Sequence, residues 1–310
     1  METPQPRTGE TPNLLVLLGP TATGKTRLAV AAARELGGEI LSADSRQVFR
    51  GMDVGTGKDL AEYGEIPYHL IDLLDAGDEF SVHGFLRAFR AAFEDVSSRG
   101  RLPLLVGGTG LYLDAVLRGY ELVDVPEDPA LRAELAALPD AELAERLRAL
   151  NPSLHNTTDL VDRARLVRAI EIAAHRASGA AAAAPLPDLR PVVFGLALPR
   201  DLLRRRITER LRARLDGGMI EEVAALVAAG VPAERLEAYG LEYRFVSRYL
   251  RRELTRNDLF QKLNAAIHDF AKRQETWFRR MERHGVEIFW LDGTADPLPA
   301  LLGEARRRGL

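Results

Sequence analysis

Short apolar runs alternate with amphipathic stretches along the first third of the chain. Apolar runs of strand length are Asn13 to Gly19, Glu39 to Ala43, Tyr68 to Leu74 and Leu102 to Gly107. Between them, apolar residues recur every three or four positions in Lys25 to Leu36, Val82 to Ser98 and Leu111 to Leu117, as in helices that bury one face. Fully apolar strands separated by helices are typical of a parallel sheet covered by helices on both faces. The pattern therefore predicts an α/β core.

The pattern becomes purely helical after Pro126. Asp128 to Leu150 and Asp159 to Arg176 are rich in Ala, Leu, Arg and Glu, with apolar residues at helical spacing. Ser178 to Pro187 combines an alanine run with prolines and is typical of a linker. The next apolar run, Pro191 to Leu198, predicts a strand that returns to the sheet. The helical block is thus expected to be inserted into the α/β core.

The last third of the chain predicts helices, one more strand and a closing helix. The expected helices lie around Asp201 to Leu215, Ile220 to Ala229, Leu241 to Leu250 and Leu254 to Arg283, and the strand at Val286 to Leu291. We therefore predict an α/β core with C-terminal helices, formed by residues 13–124 and 191–310. An all-helical domain, residues 125–190, is inserted into it.

Composition excludes several classes of protein. With 310 residues, 46% of them hydrophobic and 28% charged, the chain has enough apolar mass for a packed core and is not disordered. The absence of cysteine excludes disulfides, zinc–thiolate sites, iron–sulfur clusters and a cysteine nucleophile. The first apolar run, Leu14 to Leu18, is too short for a signal sequence or a membrane span. We expect a cytoplasmic protein with no membrane segment.

The net charge of −3 hides an asymmetry. Residues 200–283 contain 19 Arg and Lys against 13 Asp and Glu, whereas residues 1–199 contain 20 against 28. A basic second half can bind nucleic acid by neutralising phosphates, but solvated helix faces with paired charges produce the same count. Charge alone favours the second interpretation.

The clearest chemical signal is a complete G-x-x-x-x-G-K-T motif. It consists of Gly19, Pro20, Thr21, Ala22, Thr23, Gly24, Lys25 and Thr26. A predicted strand precedes it and a predicted helix follows, so its backbone N–H groups and the helix N-terminus can point at one anion. Lys25 would reach the outer phosphate oxygens, and the Thr26 hydroxyl would hold Mg²⁺. The motif predicts that the α/β core is phosphate-loop NTPase-like, with helices on both faces of its parallel sheet, and that the protein binds a di- or triphosphate.

A nucleotide hydrolase also needs an acidic residue that orients Mg²⁺ and a water. Of the runs ending at Ala43, Val106 and Leu198, the last two are followed by Gly107 and Pro199, and the run ending at Ala43 is followed by an acid, Asp44. From its position, Asp44 could be a residue near Mg²⁺, a base for an incoming nucleophile, or a helix cap.

Six segments, in chain order, carry a family resemblance. They are GPTATGKT at 19–26, SADSRQVFRGMDVGTGK at 42–58, PYHLID at 67–72, LLVGGTGLYL at 104–113, RARLVRAIEI at 163–172 and AKRQETWFRR at 271–280. Together they resemble the tRNA dimethylallyltransferases, also called tRNA isopentenyltransferases, over roughly residues 13–292. The resemblance implies transfer of a dimethylallyl group from dimethylallyl diphosphate to the exocyclic amine of the adenine on the 3′ side of the anticodon.

The resemblance also implies roles at the diphosphate end. Lys25, Thr26 and Mg²⁺ would stabilise the departing diphosphate, and Thr21 or Thr23 would donate to its bridging oxygen. Arg206 and Arg210 would clamp the same anion, although spacing alone also fits an exposed basic helix face. Asp44 matches the base that takes the proton of the adenine amine.

Further matches imply contacts with the tRNA anticodon stem-loop. The matching residues are Asp44, Ser45, Arg46 and Gln47, Thr109, the insertion arginines Arg132, Arg165 and Arg168, and Lys272, Arg273 and Gln274. The target base must leave a stacked loop to reach the enzyme, and phosphate contacts would position the RNA. Thr109 also fits a helix N-cap. Spacing alone places Trp277 and Phe278 in the core.

Three segments depart from the family pattern. Phe49 stands where tyrosine is common, residues 240–244 read GLEYR instead of G-Y-x-E, and His268 stands where an arginine often precedes AKRQ. These departures put local RNA contacts in doubt. The alternatives are a small-molecule phosphate-loop kinase, a transferase acting on free adenine nucleotides, and a noncatalytic RNA-binding protein. By resemblance the chain is expected to be a monomer.

Overall fold

In the computed structural model, which describes residues 11–120, 125, 127–151, 162–177 and 186–310, six strands form one parallel sheet. The strands are β1 (Leu14–Leu18), β2 (Gly38–Ala43), β3 (Tyr68–His69), β4 (Leu102–Gly107), β5 (Pro191–Ala197) and β6 (Phe289–Asp292). Their order across the sheet is β3-β2-β4-β1-β5-β6. The first strand therefore lies in the middle of the sheet, between β4 and β5.

The helices of the core are α1 (Lys25–Leu36), α2 (Val82–Ser98), α3 (Gly110–Leu117), α7 (Arg200–Asp216), α8 (Met219–Ala228), α9 (Ala233–Ala238), α10 (Leu241–Leu250), α11 (Arg256–Arg283) and α12 (Leu298–Arg307). A short 3-10 helix spans Leu60–Tyr63. No described helix has both the length and the apolar character needed to cross a membrane.

Burial explains why the central strands are apolar throughout. Every residue of β1 is buried, because its neighbours on each side are strands and helices cover the sheet. Leu15 and Leu17 pack with α1 and with α12, whereas α2 contacts β2 and β4 and buries Phe85 and Phe89. The predicted parallel α/β core is confirmed.

A second apolar cluster joins the C-terminal helices to the segment after β2. It includes Val48 and Phe49 from that segment and Ile207, Tyr243 and Leu263 from α7, α10 and α11. Phe49 is buried, and its ring centroid lies 4.4 Å from that of Tyr239. The apolar surroundings explain how a phenylalanine fits at this position.

Three element boundaries differ from the sequence-based expectation. The strand predicted to run to Leu74 ends at His69, because Leu70 and Asp72 adopt left-handed backbone conformations with φ of 66° and 54°. The helix expected from Asp128 to Leu150 is two helices, and Pro139 is the N-cap of the second. The last strand begins at Phe289, since the Val286 N–H is bonded to the Met281 carbonyl at the end of α11.

The chain forms two compact units. The first consists of residues 1–119 and 186–310, and the second of residues 120–185. The second unit contains α4 (Pro129–Ala136), α5 (Asp140–Leu150) and α6 (Arg163–Ala177). Its core consists of Leu135, Leu143, Leu147, Leu166 and Ile170, with Ala144. Residues 159–161 of a predicted helix and 178–185 of the predicted linker lie outside the described residues. That this unit binds tRNA stays a prediction.

Candidate active site

The strand order brings the candidate residues to one edge of the sheet. β1, β4 and β2 are neighbours, and all three end at the same edge because they are parallel. The phosphate loop follows β1, Thr109 follows β4, and Asp44 follows β2. On the other side of β1, β5 leads into α7, which carries Arg206 and Arg210. Ligands of parallel α/β sheets bind at this edge.

The phosphate loop has a backbone suited to an anion. Ala22 and Gly24 both have positive φ, 63° and 94°, and Gly24 is the N-cap of α1. A left-handed alanine is uncommon and costs free energy, so such residues persist where the loop conformation itself serves a ligand. The turn directs N–H groups and the start of α1 toward the same region.

Two side chains of the loop bond to the loop itself. The Thr23 hydroxyl donates to the Pro20 carbonyl at 2.9 Å and is buried, so it braces the loop. The Lys25 ammonium donates to the same carbonyl at 2.7 Å. Thr21, Lys25 and Thr26 also line the adjacent cavity. Of the two threonines expected to donate to the bridging oxygen, Thr21 is therefore the one that faces the cavity.

The electrostatic environment lowers the pKa of Lys25 to about 7. Burial is the largest cause, the positive charge of Arg210 adds to it, and the carboxylate of Asp44 opposes it. An amine whose pKa is lowered in this way is partly neutral near pH 7, and it gains a proton when an anion binds beside it.

The two arginines predicted on α7 face the phosphate loop and the segment after β2. Arg206 Nη1 donates to the Thr23 carbonyl at 3.3 Å. Arg210 Nη2 donates to the Gly57 carbonyl at 3.3 Å and to the Asp59 carboxylate at 2.6 Å. The interpretation as an exposed basic face is therefore wrong for these two side chains, since both are partly buried and bonded within the core.

Asp44 is held in a tight turn beside Thr109. Its Oδ1 accepts from the Arg46 N–H at 2.9 Å. The Ser45 N–H donates to Thr109 Oγ1 at 3.0 Å, which links the ends of β2 and β4. Thr109 is the N-cap residue of α3, but its side chain makes no capping hydrogen bond. The side-chain oxygen bonds to the turn instead.

A cavity of about 500 Å³ joins these groups. Its charged lining consists of Lys25, Arg46, Arg210, Arg214, Arg244 and Arg273 with Asp44 and Glu242. Cations outnumber carboxylates six to two, so the cavity is complementary to an anion. Ser45, Gln47 and Thr109 line the same cavity. Its apolar lining includes Tyr63, Leu111, Ile267, Phe270 and Trp277.

Helix α11 places the AKRQ segment beside the cavity. Lys272 and Arg273 are exposed, and Arg273 also lines the cavity with its guanidinium 5.9 Å from the centre of the Phe270 ring. Gln274 is buried and bonded to two loops of the core. Phe278 lies in the core as predicted, but Trp277 is only partly buried and contacts Gly110 at the cavity.

Four residues that support the site were not predicted from the sequence. Burial lowers the pKa of Arg214, with Arg210 contributing, and burial raises the pKa of Glu242, 3.4 Å away. Glu222 accepts from the backbone N–H groups of residues 53–55 and from the Tyr243 hydroxyl, which fixes the segment after β2. Gly57 has φ of 64°, and a Cβ there would lie 1.5 Å from Arg214 Nη2. Gly57 lies in the GTGK of residues 55–58 and Glu242 in the GLEYR of residues 240–244, two segments that the sequence singled out, whereas no motif pointed to Arg214 or Glu222.

The insertion arginines lie in the helical unit. Arg132 and Arg168 both donate to Glu171, whose side chain is 1% exposed. Burial alone would raise the pKa of Glu171, but hydrogen bonds from Arg132, the Asp128 N–H and Arg168 outweigh it and lower the pKa to about 2. Arg165 is exposed. Two of the three predicted RNA contacts are therefore also ion pairs that organise this unit.

Two histidines near the core, His69 and His268, have structural partners. His69 lies 2.7 Å from the buried Glu39, and His268 lies 3.3 Å from the Arg204 carbonyl. In the part of the chain that the structure describes, no cluster of three His, Cys, Asp or Glu residues has the arrangement of a metal site.

The sheet, the phosphate loop and the cationic cavity define a phosphate-loop protein of the α/β class, with a carboxylate opposite the anion site. Family models agree: one described as IPP transferase matches residues 47–281, and one described as isopentenyl transferase matches residues 12–65. The chain belongs to the tRNA dimethylallyltransferase family.

Relatives and solved structures are similar over nearly the whole chain. tRNA dimethylallyltransferase 2 of Syntrophotalea carbinolica is 67% identical and covers 94% of this chain and 97% of its own length. tRNA dimethylallyltransferase 1 of Geotalea uraniireducens is 63% identical, covering 92% of this chain and 94% of its own. The crystal structure of a tRNA isopentenylpyrophosphate transferase from Bacillus halodurans has a TM-score of 0.69 at 31% identity, over 96% of this chain and 97% of that one.

A eukaryotic dimethylallyltransferase acting on tRNA shares the fold, with a TM-score of 0.76 at 22% identity over 91% of this chain and 74% of that one. These similarities confirm the prediction that the protein is a transferase. They disfavour the alternatives of a small-molecule kinase and a noncatalytic RNA-binding protein.

Proposed function

We propose that this protein transfers the dimethylallyl group of dimethylallyl diphosphate to the exocyclic amine of the adenine on the 3′ side of the anticodon in tRNA. The observation that carries the proposal is that one cavity is lined at once by Lys25, Thr26 and Arg210, by Asp44, and by Thr109 and Arg273. An anion site, a base and residues expected to contact RNA thus share one cavity. The reaction forms a bond from the amine nitrogen to the allylic carbon and breaks the bond from that carbon to diphosphate.

The anion site holds the leaving group. Lys25 and the start of α1 face the diphosphate from the loop, and Arg206 and Arg210 approach from α7. Charge that is fixed before the reaction stabilises the negative charge that develops on the diphosphate oxygen as the bond breaks. Thr21 lines the cavity and is the better placed donor to the bridging oxygen, since the Thr23 hydroxyl braces the loop.

Asp44 supplies the base. An adenine amine is a weak nucleophile because its lone pair is delocalised into the ring, so its proton must be removed as the new bond forms. The Arg46 N–H bonded to Oδ1 orients the carboxylate and leaves Oδ2 to accept the proton of the amine. The outgoing proton thus ends on Asp44, and diphosphate leaves with the bonding electrons.

Mg²⁺ fits this donor set. Thr26 lines the cavity, and Mg²⁺ is ordinarily bound by a small number of protein oxygens together with substrate phosphates and waters, so its hydroxyl and the oxygens of a bound diphosphate form a suitable set. Bound there, Mg²⁺ would neutralise charge on the diphosphate. We propose Thr26 as its protein ligand.

The RNA end is formed by the turn after Asp44 and by α11. Ser45, Arg46 and Gln47 follow the base directly and line the cavity, so they are placed to read an extruded adenine. Lys272 and Arg273 are exposed and would contact the RNA backbone. Arg132, Arg165 and Arg168 of the helical unit would grip the anticodon stem-loop, which makes residues 125–190 the tRNA-binding insertion. We further propose a cytoplasmic monomer.

The proposal is tested by following the mass of three acceptors. Purified protein, Mg²⁺ and dimethylallyl diphosphate are mixed with unmodified tRNA, with AMP, or with ATP and small metabolites. We expect one dimethylallyl group on the tRNA adenine beside the anticodon. A gain on AMP alone would identify a free-nucleotide transferase, and loss of phosphate from ATP without prenyl transfer would identify a kinase.

A further inference from the structure

The side-chain amide of Gln274 joins two loops of the active site. Its Oε1 accepts from the Thr21 N–H of the phosphate loop at 2.9 Å. Its Nε2 donates to the Gly108 carbonyl at 2.8 Å, in the loop between β4 and α3. The residue is 6% exposed. Both ends of the amide are therefore engaged inside the protein.

The connection continues to the base. Gly108 precedes Thr109, whose hydroxyl oxygen accepts from the Ser45 N–H directly after Asp44. A chain of hydrogen bonds thus runs from the phosphate loop through Gln274 and the β4–α3 loop to the turn that carries the carboxylate. A Cβ on Gly108 would lie 2.4 Å from Nε2, so the amide packs directly on this backbone and no nucleotide fits between them.

Gln274 lines the cavity, but both ends of its amide are bonded to the two loops. We propose that Gln274 is a positioning residue, which holds the phosphate loop at a fixed distance from Asp44, and that its amide does not bind RNA. This inference rests on the proposed function and gives Gln274 a different role from the RNA contact implied by the family resemblance. Its exposed neighbours Lys272 and Arg273 keep that contact. Fixing this distance matters because diphosphate leaves the allylic carbon while Asp44 takes a proton from the amine that attacks the same carbon. A misplacement of about 1 Å can cost about a hundredfold in rate.

The test compares Gln274→Met with Lys272→Met. Methionine has nearly the length of glutamine but neither donates nor accepts the two hydrogen bonds. For Gln274→Met we expect kcat at saturating tRNA to fall roughly ten- to a hundredfold, weaker binding of inorganic diphosphate, and an unchanged Kd for tRNA. For Lys272→Met we expect the opposite: a raised Kd for tRNA with diphosphate binding unchanged. Thr276→Ala, an exposed position on the same helix, serves as the neutral control.

A second variant keeps the test decisive if Gln274→Met does not fold. Protonated glutamic acid can accept from the Thr21 N–H and donate to the Gly108 carbonyl, whereas its carboxylate would face that carbonyl without a proton. The rate of Gln274→Glu relative to wild type should therefore rise as the pH is lowered from 8 to 6. The rates are measured at saturating tRNA, where a residue that only contacts RNA changes the affinity and not the rate, so such a residue would not produce this pH profile.

The outcomes separate the two proposals. The positioning role would be overturned if Gln274→Met raised the Kd for tRNA and left kcat and diphosphate binding unchanged. A flat pH profile of Gln274→Glu would also overturn it. If wild-type protein transfers no prenyl group, the proposed function fails, and the diphosphate affinities of wild type and Gln274→Met still decide the role of Gln274.

Discussion

Diphosphate binding should be coupled to proton uptake by Lys25. Burial and the charge of Arg210 lower the pKa of this ammonium to about 7, and Asp44 opposes the shift only in part. A bound diphosphate reverses the balance, because an adjacent anion favours the charged form of an amine. The perturbation is therefore the addition of inorganic diphosphate to the free protein, in the presence of Mg²⁺, at several pH values.

The magnitude follows from that pKa. With a pKa near 7, about nine-tenths of the Lys25 side chains are neutral at pH 8 and about one-tenth at pH 6. If bound diphosphate restores the ordinary pKa of Lys25, binding takes up about 0.9 proton per site at pH 8 and about 0.1 at pH 6. The same linkage weakens diphosphate binding by up to about tenfold per pH unit above 7.

Isothermal titration calorimetry in two buffers with different ionisation enthalpies measures this number of protons. Diphosphate also titrates, so Lys25→Arg provides the control: its guanidinium stays charged, and the protonation of the ligand is common to both proteins. The difference between wild type and Lys25→Arg at pH 8 isolates the contribution of Lys25. Equal proton counts for the two proteins at pH 8 would refute the reasoning.

Two further predictions concern packing. Glu171→Gln should lower the free energy of unfolding of the full chain at pH 7 by about 1–3 kcal/mol, measured by urea denaturation, because two arginines lose their shared carboxylate. Since the pKa of Glu171 is lowered to about 2 in the folded protein, this stabilisation is present above its ordinary value and is lost as the pH falls toward 2. Gly57→Ala should raise the KM for dimethylallyl diphosphate roughly tenfold or more, because the added methyl displaces Arg214 and Arg210. The control is Gly51→Ala, which introduces similar backbone strain but places its Cβ more than 4 Å from any atom beyond its two chain neighbours. An equal effect of both variants would show that displacement of the arginines is not the cause.

The core was predictable because local and tertiary signals agree there. The phosphate loop has its glycines, its lysine and the flanking strand and helix in consecutive residues, and the structure shows all of them in the expected order. The apolar run Leu102 to Gly107 is a buried strand for the same reason. Such elements are fixed by residues close in sequence.

Boundaries set by individual backbone conformations could not be predicted from periodicity. The strand at Tyr68–His69 stops because Leu70 adopts a left-handed conformation that its residue type does not favour. The break at Pro139 had a local signal, since proline disrupts a helix interior, but the apolar spacing continues across it.

The supporting residues of the site depend on contacts between distant parts of the chain. Gln274 meets Thr21 across 253 positions, and Glu222 meets Val54 across 168. No spacing rule connects such pairs. The family resemblance named Gln274 as an RNA contact, but a motif identifies a residue and not the backbone groups that it meets, here those of Thr21 and Gly108.

The most direct test of the account concerns Asp44 as the base that faces the diphosphate site. Single-turnover transfer is measured with enzyme saturating over tRNA and dimethylallyl diphosphate, for wild type and Asp44→Asn, together with the Kd for tRNA. For Asp44→Asn we predict a rate constant of transfer roughly a hundred to ten thousandfold lower than that of wild type, with the Kd for tRNA unchanged. An unchanged rate constant would contradict it.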